Sequence, residues 1–250
     1  MSPPTLKLPS AIRACLFDLD GVLTDTATVH AEAWKQMFDA FLRLRAAQEG
    51  EPFVPFDLVR DYDEYIDGKQ RFDGVRSFLA SRGIELPEGS HRDPPDAETI
   101  GGLGNRKNEL ALAMMHRCGV HAYEGSVRFV QAAREAGLRR AVVSASANCR
   151  EVLEAAGIAD LFEARVDGVV AEREHLRGKP AADMFLAAAR ILDTQPGEAA
   201  VFEDALAGVA AGRSGHFGFV VGVDRVGQAD ALRAHGADIV VSDLAELIEP

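Results

Sequence analysis

The chain has 250 residues, of which 47% are hydrophobic, and a formal net charge of −12 at pH 7. This length is enough for one large domain or two modest ones with a sizeable buried core. The negative charge argues against general binding to nucleic acid or to an anionic membrane surface, because both reward clustered lysine and arginine. A local basic pocket, as a phosphate site needs, remains compatible with an acidic protein.

The cysteines and the start of the chain indicate a reduced, cytoplasmic setting. Cys15, Cys118 and Cys149 form no C-x-x-C pair, and three cysteines cannot all be paired within one chain. Reduced thiols are the simpler interpretation, and we expect Cys149 to be a small buried residue. The first ten residues contain three prolines and no apolar segment of the kind that signal peptides carry. No stretch approaches the ~20 apolar residues of a membrane-spanning helix, so we predict a cytoplasmic protein without a membrane partner.

The first predicted element is a short buried strand that ends in acidic residues. An apolar run beginning at Ile12 stops at two carboxylates, Asp18 and Asp20, which Gly21 follows. Where the strand unwinds, the backbone can turn both carboxylates toward one pocket. Two acids in such a place can hold a magnesium ion, and one of them can attack a phosphorus centre. The alternative is a strand that ends in a solvated acidic turn.

The next part of the chain has a helical pattern and no convincing strand. Apolar residues recur at helical spacing over residues 28–47, and weaker helical patterns follow over 74–82 and 96–117. The intervening residues 48–65 are charged and aromatic, with two prolines, while residues 87–95 have the composition of a loop. We therefore predict an all-helical module over residues 26–119.

From residue 120 onward the pattern alternates between strand and helix. Strands are predicted over residues 138–144, 162–166, 199–203, 217–223 and 238–241, and helices over 126–136, 148–156, 181–192 and 206–213. Such alternation favours a parallel sheet with helices on both faces. The sequence thus predicts an α/β protein in which residues 10–25 and 120–250 form a doubly wound parallel sheet. The helical module is inserted after its first strand.

Polar residues with possible chemistry follow several of these strands, at the edge where open parallel sheets bind ligands. Ser144-Ala145-Ser146-Ala147-Asn148 leads from a strand into a helix, where hydroxyls and backbone N–H groups can bind phosphate. Plain N-capping by Ser146 or Asn148 is the alternative. Lys179, between Gly178 and Pro180, could neutralise a phosphoryl group or be a solvated loop lysine. Glu203-Asp204 places two acids together, and a divalent cation would relieve their repulsion.

These features resemble the four motifs of the haloacid dehalogenase (HAD) superfamily of phosphoryl-transfer enzymes, in the correct order. The first is Asp18-Leu19-Asp20-Gly21-Val22-Leu23-Thr24-Asp25, the second Ser144, the third Lys179 and the fourth Glu203-Asp204. The resemblance implies that Asp18 is the nucleophile, that Asp20 is the general acid and base, and that Ser144 and Lys179 stabilise the phosphoryl oxygens. It also implies Mg²⁺ as cofactor, held by Asp18, the Asp20 backbone carbonyl, Asp204 and Glu203, the last directly or through water.

Within the superfamily the chain is most similar to the β-phosphoglucomutase-like subfamily, which carries a helical cap. The matching cap residues are Thr26, His30 and Trp34 at the hinge and first helix, Gly68 and Arg71 in a cap loop, and Lys107 and Asn108 in a later segment. Ala145, Ser146 and Asn148 match the subfamily in the core. The resemblance implies that Arg71 grips the phosphate that is not being transferred and that Lys107 and Asn108 face the sugar phosphate. Ala147 departs from the pattern, because relatives carry a lysine there, and residues 48–65 and 164–177 are longer than expected.

The resemblance implies a β-phosphoglucomutase, which interconverts β-D-glucose 1-phosphate and glucose 6-phosphate through glucose 1,6-bisphosphate. We expect the partner to be a small-molecule sugar phosphate, with no nucleic-acid partner, and the protein to be a monomer. Two alternatives stay open at this point. One is a sugar-phosphate phosphatase that uses the same core, and the other is a non-catalytic module that binds sugar phosphates.

Overall fold

The structure is a computed structural model, and it describes residues 4–249. These residues form two compact units. The core unit consists of the described residues up to Asp25, the segment Gly68–Gln70 and the residues from Val120 onward. The helical unit consists of Thr26–Asp67 and Arg71–Gly119.

The core unit contains a six-stranded sheet in which every neighbouring pair of strands is parallel. The strands are β1 (Ala14–Phe17), β2 (Arg139–Val143), β3 (Ala164–Val166), β4 (Ala199–Glu203), β5 (Phe219–Val223) and β6 (Ile239–Val241), in the order β3-β2-β1-β4-β5-β6. The order reverses direction at β1, so the sheet is doubly wound and the predicted α/β fold is confirmed. β1 lies in the middle, which places its carboxyl end beside the ends of β2 and β4.

Seven of the ten α-helices in residues 4–249 lie close to predicted positions. The ten helices are α1 (Ala27–Glu49), α2 (Arg60–Tyr65), α3 (Arg71–Ser81), α4 (Ile100–Cys118), α5 (Glu124–Glu135), α6 (Cys149–Ala155), α7 (Gly168–Arg173), α8 (Asp183–Ile191), α9 (Leu206–Ser214) and α10 (Ala229–His235). Short 3₁₀ helices occupy Ala159–Leu161, Pro196–Glu198 and Leu244–Leu247.

The sheet is covered on both faces, which explains why its strands are nearly continuous apolar runs. Side chains alternate between the two faces of a strand. On one face, Leu16 and Val201 belong to a core with Phe185 of α8. On the other face, the ring of Phe17 stacks on that of Phe202 with centroids 4.5 Å apart. The central strands are therefore fixed from both sides, and so are the loops at their ends.

The helical unit has an aromatic core of its own. The Phe38 ring on α1 packs against Trp34, Phe56 and Phe78, with centroids 5.3, 5.3 and 4.1 Å away. Asp61 of α2 is buried beside this core, where its carboxylate accepts hydrogen bonds from the Asp57 N–H (3.0 Å) and from Arg82 (2.7 Å). Burial opposes ionisation of Asp61, but these hydrogen bonds outweigh it and lower the pKa of the carboxyl.

Three short helices were not predicted from the sequence. α2 has six residues of which four are charged, so it carries no apolar periodicity. α7 begins where the Asp167 carboxylate accepts the N–H groups of Val169 (3.1 Å) and Val170 (2.9 Å). α10 follows a loop in which the Asp224 carboxylate accepts the N–H groups of Gly227 (2.7 Å) and Gln228 (2.9 Å). Such side-chain caps determine where short helices form, and the hydrophobic pattern of the sequence does not show them.

The start of α4 also differs from the prediction, which placed it at residue 96. The helix begins at Ile100 because Thr99 is its N-cap, accepting the Gly102 N–H at 2.9 Å. None of the helices in residues 4–249 combines the length and the apolar character that a bilayer span requires.

Candidate active site

The loop after β1 presents the first pair of acids. The Asp18 N–H donates to the Phe202 carbonyl at 2.9 Å, which continues the sheet pairing into the loop. Beyond it the chain closes on itself, because the Gly21 N–H donates to the Thr24 carbonyl at 2.8 Å. Gly21 has a φ of +89°, and a Cβ atom there would lie 1.8 Å from Asp204 Oδ2. Only glycine allows both this backbone conformation and this approach.

The loop after β4 supplies the second pair of acids. Glu203 is fully buried, and its Oε2 accepts the Ala205 N–H at 3.0 Å. Gly208 leaves room for this carboxylate, since a Cβ atom at that position would lie 1.8 Å from Glu203 Oε1. Asp204 is half-buried and faces Gly21. The small residues around Glu203-Asp204 thus allow both acids to fit at the end of one strand.

Lys179 is the buried cation of the site, so it is not the solvated loop lysine that was the alternative. Its Nζ forms ion pairs with Asp18 Oδ1 and Glu203 Oε1 and lies 3.4 Å from the Val143 carbonyl. Burial opposes its charge, but the two carboxylates outweigh burial and raise the pKa of Lys179. Lys179 therefore stays protonated and links the ends of β1 and β4.

Three carboxylates converge in the core unit. Oxygens of Asp18, Glu203 and Asp204 all lie within 4.8 Å of one another. Burial raises the pKa of Asp18 well above its usual range, and the charges of Glu203 and Asp20 raise it further against the effect of Lys179. Hard carboxylate oxygens at this spacing suit a hard divalent cation, which would relieve the repulsion among the acids. The residues present therefore fit a metal ion of that kind.

The loop after β2 places the predicted phosphate-binding residues at the same edge of the sheet. Ser144 is fully buried, and its Oγ accepts the Ser146 N–H at 3.1 Å. Ser146 Oγ in turn accepts the Asn148 N–H at 3.1 Å, so these hydroxyls shape the turn. The Asn148 side chain makes no capping hydrogen bond to α6. Gly168 packs against the turn, since a Cβ atom there would lie 2.8 Å from the Ala145 carbonyl oxygen.

Gly68 belongs to the core unit and approaches the loop after β4. A Cβ atom at Gly68 would lie 3.2 Å from Ala205 Cβ, and the φ of Gly68 is +72°. In the same segment, Gln70 Nε2 donates to the Leu176 carbonyl at 3.3 Å. Gly68–Gln70 therefore contacts the loops that carry Lys179 and Glu203-Asp204.

The helical unit brings together three of the predicted cap residues. Lys107 of α4 and His30 of α1 are buried, with Lys107 Nζ 2.6 Å from His30 Nδ1. The same Nζ lies 5.1 Å from the centroid of the Trp34 ring, which attracts a cation electrostatically. This arrangement holds a lysine ammonium at a defined place between α1 and α4.

The remaining cap residues of the helical unit lie on α3, on α4 and at the start of α1. Arg71 is the first residue of α3, and its guanidinium lies 4.7 Å from the centroid of the Phe72 ring. A Cβ atom at Gly104 of α4 would lie 2.7 Å from Phe72, so α3 and α4 approach closely here. Asn108 follows Lys107 on α4. Thr26 is buried at the start of α1, and its carbonyl accepts the His30 N–H at 3.0 Å.

Two residues after β5 contact the site, although no motif in the sequence marks them. Arg225 Nε donates to the Gly21 carbonyl at 2.9 Å, and Gln228 Nε2 donates to the Asp204 carbonyl at 3.0 Å. The available signal was a charged residue, Arg225, shortly after an apolar strand. Both side chains donate to backbone carbonyls, which every residue has, so the sequence does not indicate these contacts.

The chain is similar to known proteins over most of its length. A family model described as haloacid dehalogenase-like hydrolase matches residues 12–216. The protein named β-phosphoglucomutase from Mycobacterium bovis is 58% identical over 246 residues, which cover 97% of this chain and 94% of that protein. The protein of the same name from Bacillus subtilis is 32% identical, covering 94% of this chain and 92% of that one.

A solved structure supports the same similarity. The crystal structure of β-phosphoglucomutase from Clostridium difficile matches with a TM-score of 0.73 and 26% sequence identity. The match covers 94% of this chain and 93% of that one.

Proposed function

Because this chain belongs to the haloacid dehalogenase-like hydrolase family, we propose that it is a Mg²⁺-dependent β-phosphoglucomutase. It would interconvert β-D-glucose 1-phosphate and glucose 6-phosphate through glucose 1,6-bisphosphate. The observation that carries this assignment is the likeness, over nearly the whole chain, to proteins named β-phosphoglucomutase. A cytoplasmic location and a monomeric state stay predictions.

In the proposed mechanism Asp18 is the nucleophile. A carboxylate oxygen of Asp18 attacks phosphorus, the bond from phosphorus to the sugar oxygen breaks, and an aspartyl phosphate forms on Asp18. Asp20 gives its proton to the leaving sugar oxygen. In the second half, Asp20 takes the proton of the other sugar hydroxyl, whose oxygen attacks the phosphoryl group and releases Asp18.

Charge neutralisation supports this chemistry. Asp18, Glu203 and Asp204, with the Asp20 carbonyl, would hold Mg²⁺, and the bound ion would neutralise charge between the nucleophile and the phosphoryl oxygens. Lys179 supplies a second positive charge, because its Nζ contacts Asp18 directly. Ser144, at the end of β2, would donate its hydroxyl to a phosphoryl oxygen.

The helical unit is proposed to be the cap that binds the rest of the substrate. Arg71 would bind the phosphate that is not being transferred. Lys107 and Asn108 would face the sugar phosphate. Gly68, from the same loop as Arg71, would bind substrate together with Thr26, His30 and Trp34. The contacts of Lys107 with His30 and Trp34 support the role of Lys107, because they hold the ammonium in one place. Ala145, Ser146 and Asn148 would line the phosphate site in the core unit.

The replacement of Arg71 by alanine tests the assignment, because a mutase must hold a second phosphate. Glucose 6-phosphate formation and phosphate release are measured together, with β-glucose 1-phosphate, glucose 1,6-bisphosphate and Mg²⁺ present. Loss of a charge-assisted hydrogen bond of about 1.5–3 kcal/mol predicts mutase turnover about 10- to 100-fold lower in Arg71→Ala. Arg76→Ala is the matched control, since Arg76 lies on the same helix and pairs with Asp73 and Glu88.

Equal mutase rates in Arg71→Ala and Arg76→Ala would contradict the assignment. Net phosphate release in step with substrate loss in the unchanged protein would identify a phosphatase instead. Asp18→Asn separates both enzymes from a binding module, because it is expected to abolish turnover and leave sugar-phosphate binding in place.

A further inference from the structure

We propose that Arg225 and Gln228 are positioning residues that fix the two acidic loops of the active site relative to each other. Both residues lie in the loop that joins β5 to α10, and both donate to backbone carbonyls of the acidic loops. The inference rests on the proposed function insofar as those loops hold the metal ion.

Arg225 connects the loop after β1 to two other parts of the core unit. Its Nε donates to the Gly21 carbonyl (2.9 Å) and its Nη1 donates to the Ser242 carbonyl (2.8 Å). The guanidinium carbon lies 3.8 Å from the centroid of the Tyr123 ring, at the start of α5. The side chain is 18% exposed, so these contacts are made largely out of water. A planar guanidinium with several fixed donors suits this role, and a lysine could not reproduce it.

Gln228 makes the corresponding contact to the loop after β4. Its Nε2 donates to the carbonyl of Asp204 at 3.0 Å. A hydrogen bond to that carbonyl limits rotation of the peptide that follows Asp204, so it orients the loop. Asp204 is one of the three acids whose oxygens converge.

The loop that carries both donors is itself held tightly. The carboxylate of Asp224 accepts the backbone N–H groups of Val226 (3.2 Å), Gly227 (2.7 Å), Gln228 (2.9 Å) and Ala229 (3.1 Å). The Asp224 N–H donates to the Val241 carbonyl at 2.8 Å, which ties the loop to β6. Arg225 and Gln228 therefore start from fixed backbone positions, as effective positioning requires.

The two acidic loops need such support because they touch each other. The Gly21 backbone lies against the Asp204 carboxylate, as the 1.8 Å clash of an added Cβ atom demonstrates. Gly21 also follows Asp20, whose carbonyl is a proposed metal ligand. A small shift of either loop would change the spacing of the oxygens around the metal ion, and shifts of about 1 Å can cost 100-fold in rate.

The test compares Arg225→Met and Gln228→Leu with Arg233→Met as control. Methionine keeps an unbranched apolar stem for the Tyr123 ring but has no donor. Arg233 lies on α10 and is 56% exposed, and its partner Asp230 is on the same helix. Two properties are measured: Mg²⁺ dissociation constants by calorimetry, and amide hydrogen exchange in the metal-free protein.

We expect Mg²⁺ to bind about 5- to 10-fold more weakly to Arg225→Met and to Gln228→Leu, the change that corresponds to one lost net hydrogen bond. In EDTA, Arg225→Met should speed exchange in residues 18–25, and Gln228→Leu should speed exchange in residues 203–208. Arg233→Met should match the unchanged protein in both measurements. A general loss of stability would raise exchange throughout the core unit, so this local pattern separates positioning from a merely structural role.

Unchanged Mg²⁺ affinity and unchanged exchange in both loops would overturn the inference. If the unchanged protein itself fails to bind Mg²⁺, the proposed metal site fails, while the exchange pattern still decides the positioning role. If Arg225→Met does not fold, Gln228→Leu decides it alone through residues 203–208.

Discussion

Replacing Lys179 with methionine removes the buried cation that links Asp18 to Glu203 in the candidate site. Methionine has a similar length and shape, so the change removes charge and hydrogen bonds with little change in volume. The Lys179 side chain is 0% exposed, and its partners Asp18 and Glu203 are 10% and 0% exposed. In metal-free protein the replacement therefore leaves buried carboxylates without their counter-charge.

The expected loss of stability follows from this burial. Removing one partner of a buried ion pair costs about 3–5 kcal/mol, because the remaining charge stays buried and uncompensated. For a protein of this size, about 1 kcal/mol lowers the melting temperature by about 2–4 °C, so a decrease of about 6–20 °C is expected in EDTA. The turnover number should fall about 100- to 1000-fold, as when one charge-stabilising donor is removed from an active site.

The assay is thermal unfolding in EDTA, followed by circular dichroism, together with steady-state turnover. Arg177→Met is the matched control, because Arg177 is 78% exposed and pairs with Asp183 near Lys179 in the chain. Its melting temperature should equal that of the unchanged protein. If Lys179→Met melts within 2 °C of Arg177→Met, the buried ion pairs of Lys179 do not stabilise the fold.

Three further predictions concern packing, pH and thiol reactivity. Gly208→Ala places a methyl group 1.8 Å from Glu203 Oε1, so stability should fall by about 1–3 kcal/mol in urea unfolding, and an unchanged midpoint would contradict this packing. Asp61→Asn should cost about 1.5–3 kcal/mol at pH 7. Because the folded pKa of Asp61 is lowered, the difference should persist down to about pH 4 and then decline as the pH falls through the folded pKa, and a difference that grows on acidification would be inconsistent. Iodoacetamide should label exposed Cys118 in the native protein and buried Cys149 only after unfolding, which mass spectrometry of peptides measures; equal labelling rates would contradict the burial.

The fold could be predicted where hydrophobic patterns extend over a whole element. Ala199–Glu203 is an apolar run that ends in acids, and the observed β4 has the same bounds. The long helix α1 was predicted to within two residues at each end, because its apolar face repeats over many turns. Short helices such as α2 were missed, since local hydrogen bonds of Asp57 and Asp61 decide them.

The sequence could predict that the site residues meet at the ends of neighbouring strands, but not which of their atoms make contact. Parallel-sheet topology indicates that acids after β1 and β4 meet at one edge. It does not reveal which atoms pair, and Lys179 reaches Asp18 across 161 positions of the chain. Arg225 was missed because it contacts the backbone of Gly21, 204 positions away, and no residue type signals that contact. The roles proposed for the cap residues stay predictions.

A mutase requires that the phosphoryl group on Asp18 passes to a sugar hydroxyl and not to water. Phosphorus NMR tests it most directly, with the purified protein, Mg²⁺, β-glucose 1-phosphate and a trace of glucose 1,6-bisphosphate in one tube. The mutase assignment predicts that the glucose 6-phosphate signal grows as the substrate signal falls, with no inorganic phosphate formed. Growth of inorganic phosphate at the rate of substrate loss would contradict it.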